Sequence, residues 1–361
     1  MRWLDLLHRW AGGLVGLLLA MMGLTGALLV HKDAWVRLPH AGDARVTDAA
    51  TLAEATQRMM SDPAGPQGII YATDNFGLNR LSFAGDAGAY ADQAGGMVTR
   101  WASQWERPEL WIFDLHHHLF TGETGEAVLG VAALCGLFFV ISGVFLWWRT
   151  RKTFTFRLWP ARMTRPSIVR HHRDLGIVMA PLLLLSLFTG SVFAFRPMAG
   201  LILGPGTEAV LTEAARTPTY KPVALADDFD WRALVATAHA RFPEAELRIV
   251  SAPRGESGLV TVRMRQPEEW LPNGRTMLWF AADTGALVGA RDSRALPTRA
   301  QVYNRFYPLH AAKVGGLPWR LVMTLSGLTL ALLGTLAVWT FWFKRPKPRA
   351  KPQPMPMVAA E

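Results

Sequence analysis

The 361 residues are half hydrophobic, carry a formal net charge of +10 and include one cysteine, Cys135. A lone cysteine excludes an intramolecular disulfide and a cysteine-held iron–sulfur cluster. The positive charge gathers in two short segments beside apolar runs, so it is a topology signal, and no nucleic-acid partner is expected.

Residues 11–30, 127–148, 175–195 and 321–343 contain no Asp, Glu, Lys or Arg. Each is about 20 residues long, enough to cross about 30 Å of hydrocarbon. They predict four transmembrane helices. Residues 1–30 are a short basic start and helix one, with Trp3 and Trp10 suited to the interface. The apolar run exceeds a signal-peptide core and no small-x-small site precedes Lys32-Asp33, so it reads as a membrane anchor.

Residues 31–115 form a first outer segment, with a helix at 49–60, strands at 68–72 and 78–83, and Asp74-Asn75 as a turn. Residues 116–148 hold His116-His117-His118 and helix two, which ends Trp147-Trp148-Arg149. The loop 149–173 carries Arg149, Arg151, Lys152, Arg157, Arg162, Arg165, Arg170 and Arg173 and no acid. Helix three occupies 174–196, with Pro181 as a predicted kink. The second outer segment, 197–310, has a helix at 230–242, strands at 246–251, 259–265 and 277–281, and the turn Asp283-Thr284-Gly285. Helix four lies in 311–343, and a basic tail follows at 344–361. The positive-inside rule puts both termini and the 149–173 loop in the cytoplasm, and the two acid-bearing segments outside.

One stretch occurs twice. His8-Arg9-Trp10-Ala11-Gly12 leads to Leu24-Thr25-Gly26; His172-Arg173-Asp174-Leu175-Gly176 leads to Phe188-Thr189-Gly190. The register has no gap. Four residues are about one helical turn and eighteen about five. So His8, Gly12 and Gly26 share one face, as do His172, Gly176 and Gly190, and the glycines leave room for a large flat group. Gly136 and Gly143 likewise match Gly327 and Gly334, with Trp148 and Trp339 following. The predicted fold is a membrane α-helical protein. Its four transmembrane helices form two parallel repeats about an axis along the membrane normal, with two small α+β outer modules.

That axis pairs His8 with His172 at the inner side and His116 with His310 at the outer side. Two imidazoles facing across an axis are the axial ligation that a six-coordinate haem b needs, so two haems b per chain are expected. Alternate ligands are His117 and His118, and also His31 and His171. Zinc at 116–118 is the weaker reading. Three adjacent histidines cannot all point one way, and no Cys or carboxylate joins them at zinc spacing. The bland alternatives are interfacial or capping histidines, and glycines that serve helix packing. Ionisable residues at membrane depth are functional candidates by default.

Several stretches resemble the PepSY-associated transmembrane helix family. They include Leu7-His8-Arg9-Trp10, the Thr-Gly endings, and Leu115-His116 before Leu119-Phe120. The run from Ser142 to Trp148, and Leu309-His310 before Gly315-Gly316-Leu317-Pro318, add to it. Residues 236–289 look like a PepSY module, with Arg241-Phe242-Pro243 at the helix end and the 283–285 hairpin. The resemblance implies a bacterial inner-membrane protein with periplasmic outer modules. It further implies a di-haem reductase of ferric siderophores, with His8, His116, His172 and His310 as haem ligands. On that reading the protein is a haem-dependent oxidoreductase. Electrons cross from an unknown cytoplasmic or membrane donor to a ferric siderophore or another ferric chelate, and no acid–base catalyst is needed. No Gly-rich nucleotide loop is present, so flavin or nicotinamide would belong to a partner. Arg299, Tyr303, Arg305 and Tyr307 are candidates to meet the chelate. The competing reading is a non-enzymatic PepSY-type regulatory or binding protein of the membrane.

Overall fold

The computed structural model describes residues 2–255 and 257–343; the basic tail at 344–361 lies outside the described residues. Among them four helices are long and apolar enough to cross a membrane. These are α1 (Arg2–Leu29), α2 (Glu123–Trp148), α3 (Arg165–Ala194) and α4 (Gly316–Trp342). All four begin before their apolar runs, and α1 and α3 thereby take His8, His171 and His172 into regular helix. Pro166 in the first turn suits the start of α3, because the amide proton it lacks has no helical partner there. Pro181 stands inside α3, and the helix continues through it to Ala194. In a packed bundle one missing backbone bond does not end a helix.

Glycine decides how α1 meets α4. A Cβ on Gly23 would sit 2.3 Å from the Gly327 carbonyl oxygen, and one on Gly334 would sit 2.3 Å from that of Gly16. The two backbones approach too closely for any side chain, the small-residue packing that holds helices together in lipid. At the matching α2–α3 contact the approach is wider: Leu187 of α3 fills the space over Gly136.

The outer segments predicted as two separate modules merge. Their strands form one antiparallel sheet in the order β4-β3-β2-β1-β5-β6-β7-β8. The first four are β1 (Gly68–Ile70), β2 (Asn79–Ser82), β3 (Gly88–Ala91) and β4 (Met97–Trp101). The others are β5 (Glu246–Ser251), β6 (Leu259–Arg265), β7 (Thr276–Ala281) and β8 (Leu287–Arg291). β1 and β5 join the halves with Ile69 opposite Val250. Alone, each half would expose an unpaired edge at this strand; pairing removes both edges. Strands β3, β4 and β8 were not legible as strands. β3 reads Gly-Ala-Tyr-Ala and β8 is largely exposed, so neither shows apolar alternation.

Helices Ala49–Met60 and Trp231–Arg241 pack on each other and on the sheet. Asp48 accepts the Thr51 amide at the start of one, and Asp230 that of Ala233 at the start of the other. An aspartate at this position satisfies an amide the helix cannot. Met59, Ile69, Leu81, Leu234, Val250 and Phe280 are all buried beneath. Burying one such side chain is worth about 1.5–3 kcal/mol. Arg248, on β5, is buried yet meets no carboxylate; it donates to the carbonyls of Tyr71, Ala72 and Pro272. Burial pushes its guanidinium down to about 10.

The sheet stands over one end of the bundle. Arg320, in the first turns of α4, donates to Asn75 at 3.0 Å, and Lys313 pairs with Asp33 at 3.1 Å.

Candidate functional site

His8 of α1 and His172 of α3 meet at the end of the bundle away from the sheet. Their ring centroids are 6.2 Å apart and their planes cross at 90°. His116 and His310 meet at the sheet end, 6.5 Å apart at 48°. A metal–imidazole bond is about 2 Å and a ring nitrogen lies roughly 1 Å from the ring centre, so two axial imidazoles on one iron place their centroids about 6 Å apart. Both pairs have that spacing.

Neither outer histidine sits on a long helix. His116 lies in the last turn of helix Pro108–His118, and His310 ends the short helix Phe306–His310. Left-handed residues turn the chain after each: Leu119 and Phe120 before α2, Ala312 and Gly315 before α4. Gly125 lets α2 start tightly against this turn, since a Cβ there would lie 1.6 Å from the His118 carbonyl oxygen.

Helix hydroxyls orient three of the four rings. Thr25 Oγ1 donates to the Met21 carbonyl at 2.8 Å, Ser142 Oγ to Phe138 at 2.6 Å and Thr189 Oγ1 to Leu185 at 2.7 Å. A hydroxyl has one proton. With that proton committed, each oxygen can only accept from its histidine. His116 Nδ1–H donates to Thr25, His8 Nδ1–H to Ser142 and His310 Nδ1–H to Thr189, each at 2.8 Å. This fixes the tautomer and leaves Nε2 as a lone-pair donor, as metal-ligating histidines require. Burial pushes His310 down to about 4 and His116 down to about 3, with His310 and His117 adding to the effect on His116. Both rings are therefore neutral near pH 7. His172 differs: its Nδ1 is buried and has no hydrogen-bond partner among the described residues.

The predicted glycines divide between the two ends. Gly26 faces His116, where a Cβ would lie 3.1 Å from Cε1, and Gly190 faces His310 at 3.5 Å. Around Gly12, one turn from His8, nothing lies within 4 Å of where a Cβ would be, and at Gly176 the first neighbour is Leu333 at 3.9 Å. The stripe seen in sequence thus serves both pairs.

The alternate ligands are engaged elsewhere. His117 stacks on Phe113 at 4.1 Å, and His118 donates to Asp114 at 3.0 Å. His31 donates to Thr324 at 2.8 Å, since that hydroxyl gives its proton to the Arg320 carbonyl. His171 donates to the Leu158 carbonyl at 3.0 Å. Among the described residues no three His, Cys, Asp or Glu side chains converge on a metal-binding point. Of the residues predicted at the outer exit, Arg299 donates to the Pro205 carbonyl and Arg305 lies over Trp270. Tyr303 packs on Phe306, and Tyr307 on Phe193.

The PepSY-associated TM region family matches residues 6–345. The chain belongs to this family. The match spans all four long helices, both histidine pairs and the sheet. No curated protein matches the chain significantly. As a PepSY-associated membrane protein, it meets a lipid bilayer along its four apolar helices.

Sequence reasoning missed the role of Thr25, Ser142 and Thr189. Thr25 and Thr189 served only as repeat markers, although a hydroxyl beside a glycine on the histidine face was a signal in itself. It also missed a cleft of about 470 Å³ at the sheet end, lined by Asp33, Arg45, Glu246, Trp270, Lys313 and Arg320 among others. Lys313 is three residues beyond His310, so the cleft adjoins the point where the chain leaves the outer pair.

Proposed function

We propose that this protein is a transmembrane electron conduit of the bacterial inner membrane. In this reading it holds two haems b and reduces a ferric siderophore or another ferric chelate in the periplasm. The observation that carries the reading is the pairing of four half-buried imidazoles at axial spacing, with three tautomers set to present Nε2. His8 and His172 would hold the inner haem, and His116 and His310 the outer one. Gly12 and Gly176 leave room beside the inner pair, and Gly26 and Gly190 beside the outer. The helices form two parallel repeats with both termini in the cytoplasm and the sheet in the periplasm; the acid-free 149–173 loop supports that orientation.

Bound haem supplies a one-electron couple at each end of the bundle. The chain's own work is to orient the imidazoles, exclude water from them and hold the substrate. The docking place in this reading is the cleft that Lys313 lines, three residues beyond His310 in the chain. There the substrate gains one electron and its Fe(III) becomes Fe(II), an ion that hard oxygen ligands hold less tightly. No side chain moves a proton. The donor on the cytoplasmic side is a separate molecule.

The test uses the purified full-length protein from haem-sufficient cells. Two haems per chain are expected, with a low-spin spectrum. After anaerobic reduction, a ferric hydroxamate added with a ferrous trap should reoxidise the haem band and release stoichiometric Fe(II). A colourless protein would instead favour the non-enzymatic regulatory reading. A band that reoxidises with a quinone but with no ferric chelate would retain the conduit and discard the substrate.

A further inference from the structure

The inner pair is built unequally. Ser142, just before Gly143, accepts the His8 Nδ1–H. The matching glycine of α4 is Gly334, and the residue before it is Leu333. Leu333 occupies the corresponding place. Its Cδ1 is 3.9 Å from where a Cβ on Gly176 would be, one turn from His172. The Leu333 side chain offers no hydroxyl, and among the described residues His172 Nδ1 has no hydrogen-bond partner. The outer pair has a hydroxyl on both rings.

We infer that Thr25, Ser142 and Thr189 are positioning residues that tune the iron sites through the histidines, and that Leu333 makes the inner site the more easily reduced of the two. The inference rests on the haem reading above. An imidazole that donates Nδ1–H to a fixed acceptor becomes more basic and gives more electron density to a metal on Nε2. That favours Fe(III) and lowers the reduction potential. Two such donors serve the outer site and one the inner. Electrons therefore enter where reduction is easier, and the outer site, which faces the substrate, is the stronger reductant.

The experiment is a spectroelectrochemical titration of the haem-loaded full chain carrying Ser142→Ala, Thr25→Val, Leu333→Ser or Leu333→Ala. Leu333→Ala controls for the volume lost at 333. Ser142→Ala should raise the midpoint of one wave. Leu333→Ser should lower that same wave relative to Leu333→Ala, changing the ratio of reduced to oxidised haem at fixed potential roughly tenfold, or about 59 mV for one electron. Thr25→Val should raise the other wave. The inference is overturned if Leu333→Ser matches Leu333→Ala, or if it moves the wave that answers to Thr25. Two haems whose waves ignore all four substitutions overturn the tuning and leave the conduit standing. A protein without haem overturns the functional reading itself.

Discussion

Thr25 and His116 are 91 residues apart in the chain and are joined by a 2.8 Å hydrogen bond. Thr189 and His310 repeat the relationship over 121 residues at the same distance. In each case the next residue is a glycine that leaves space at the imidazole. The Thr-Gly pair is therefore a cradle: one residue accepts the ring proton and the other keeps a side chain off the ring. It also ties the last turns of a long helix to the segment that leads into its neighbour.

The four pair histidines should fall into two groups on substitution. His8→Ala or His172→Ala should remove one haem per chain and keep the other; His116→Ala or His310→Ala should remove the second and keep the first. His117→Ala and His118→Ala should keep both, because those rings stack on Phe113 and bond Asp114. Haem counting on purified variants checks this. Full haem with unchanged low-spin spectra in all four pair variants would refute the ligand assignment.

The glycines should separate by role. Gly12→Leu enters open space, so the bundle should keep its thermal midpoint and lose inner haem. Gly23→Leu drives a side chain into the Gly327 backbone and should destabilise the α1–α4 contact by about 1–3 kcal/mol or more. Haem content and thermal unfolding in detergent distinguish the two. Equal haem loss at equal stability would mean that Gly12 is an ordinary packing position.

Much of this is legible in the sequence, and the reason is period. Four apolar runs, and two His–Gly–Gly stripes in phase with a helix, survive in sequence because a helix maps spacing onto a face. Helix 49–60 was legible for the same reason, capped as it is by Asp48. What crossed between distant segments was not legible. The β1–β5 pairing joins residue 69 to residue 250, and no local pattern encodes that partner. The assignment of Gly26 to His116 rather than to His8 depends on which element folds back over α1. The cleft is a gap between such segments and has no sequence period at all.

Arg248 should act as the clasp of the merged sheet. Its guanidinium satisfies carbonyls on the chain after β1 and at Pro272. Arg248→Met keeps bulk and removes every donor, leaving buried carbonyls unmet at about 1–3 kcal/mol each at most. A lower unfolding midpoint is expected, with haem content retained at low temperature. An unchanged midpoint would show that the carbonyls find other partners.

Orientation is open to a direct test. Reporter fusions after residues 90, 160, 250 and 355 should read out, in, out, in, because the basic 149–173 loop resists export. An outward signal at 160 would reverse the proposed direction of electron flow.

The cleft should bind its substrate partly by charge. Its lining is charge-balanced, with Asp33, Asp74, Glu246, Glu268 and Glu269 against Arg45, Arg248, Arg265, Lys313 and Arg320; of the cations, Lys313 is anchored to Asp33 at 3.1 Å and Arg320 to the uncharged Asn75 at 3.0 Å. Anchored cations at a half-open site raise the encounter rate of an anion, and salt screens the effect beyond about 10 Å at 0.1 M. Lys313→Glu with Arg320→Glu should therefore slow haem reoxidation by an anionic ferric chelate roughly tenfold at low ionic strength. The difference should shrink as salt is added. A neutral ferric chelate should react at the same rate with both proteins, and the haem spectrum should not change, since neither residue touches a pair histidine. Stopped-flow reoxidation of the reduced protein measures all of this. Equal slowing of neutral and anionic chelates would indicate damage to the outer end of α4. No slowing of either would mean that substrate approaches the outer pair from another side.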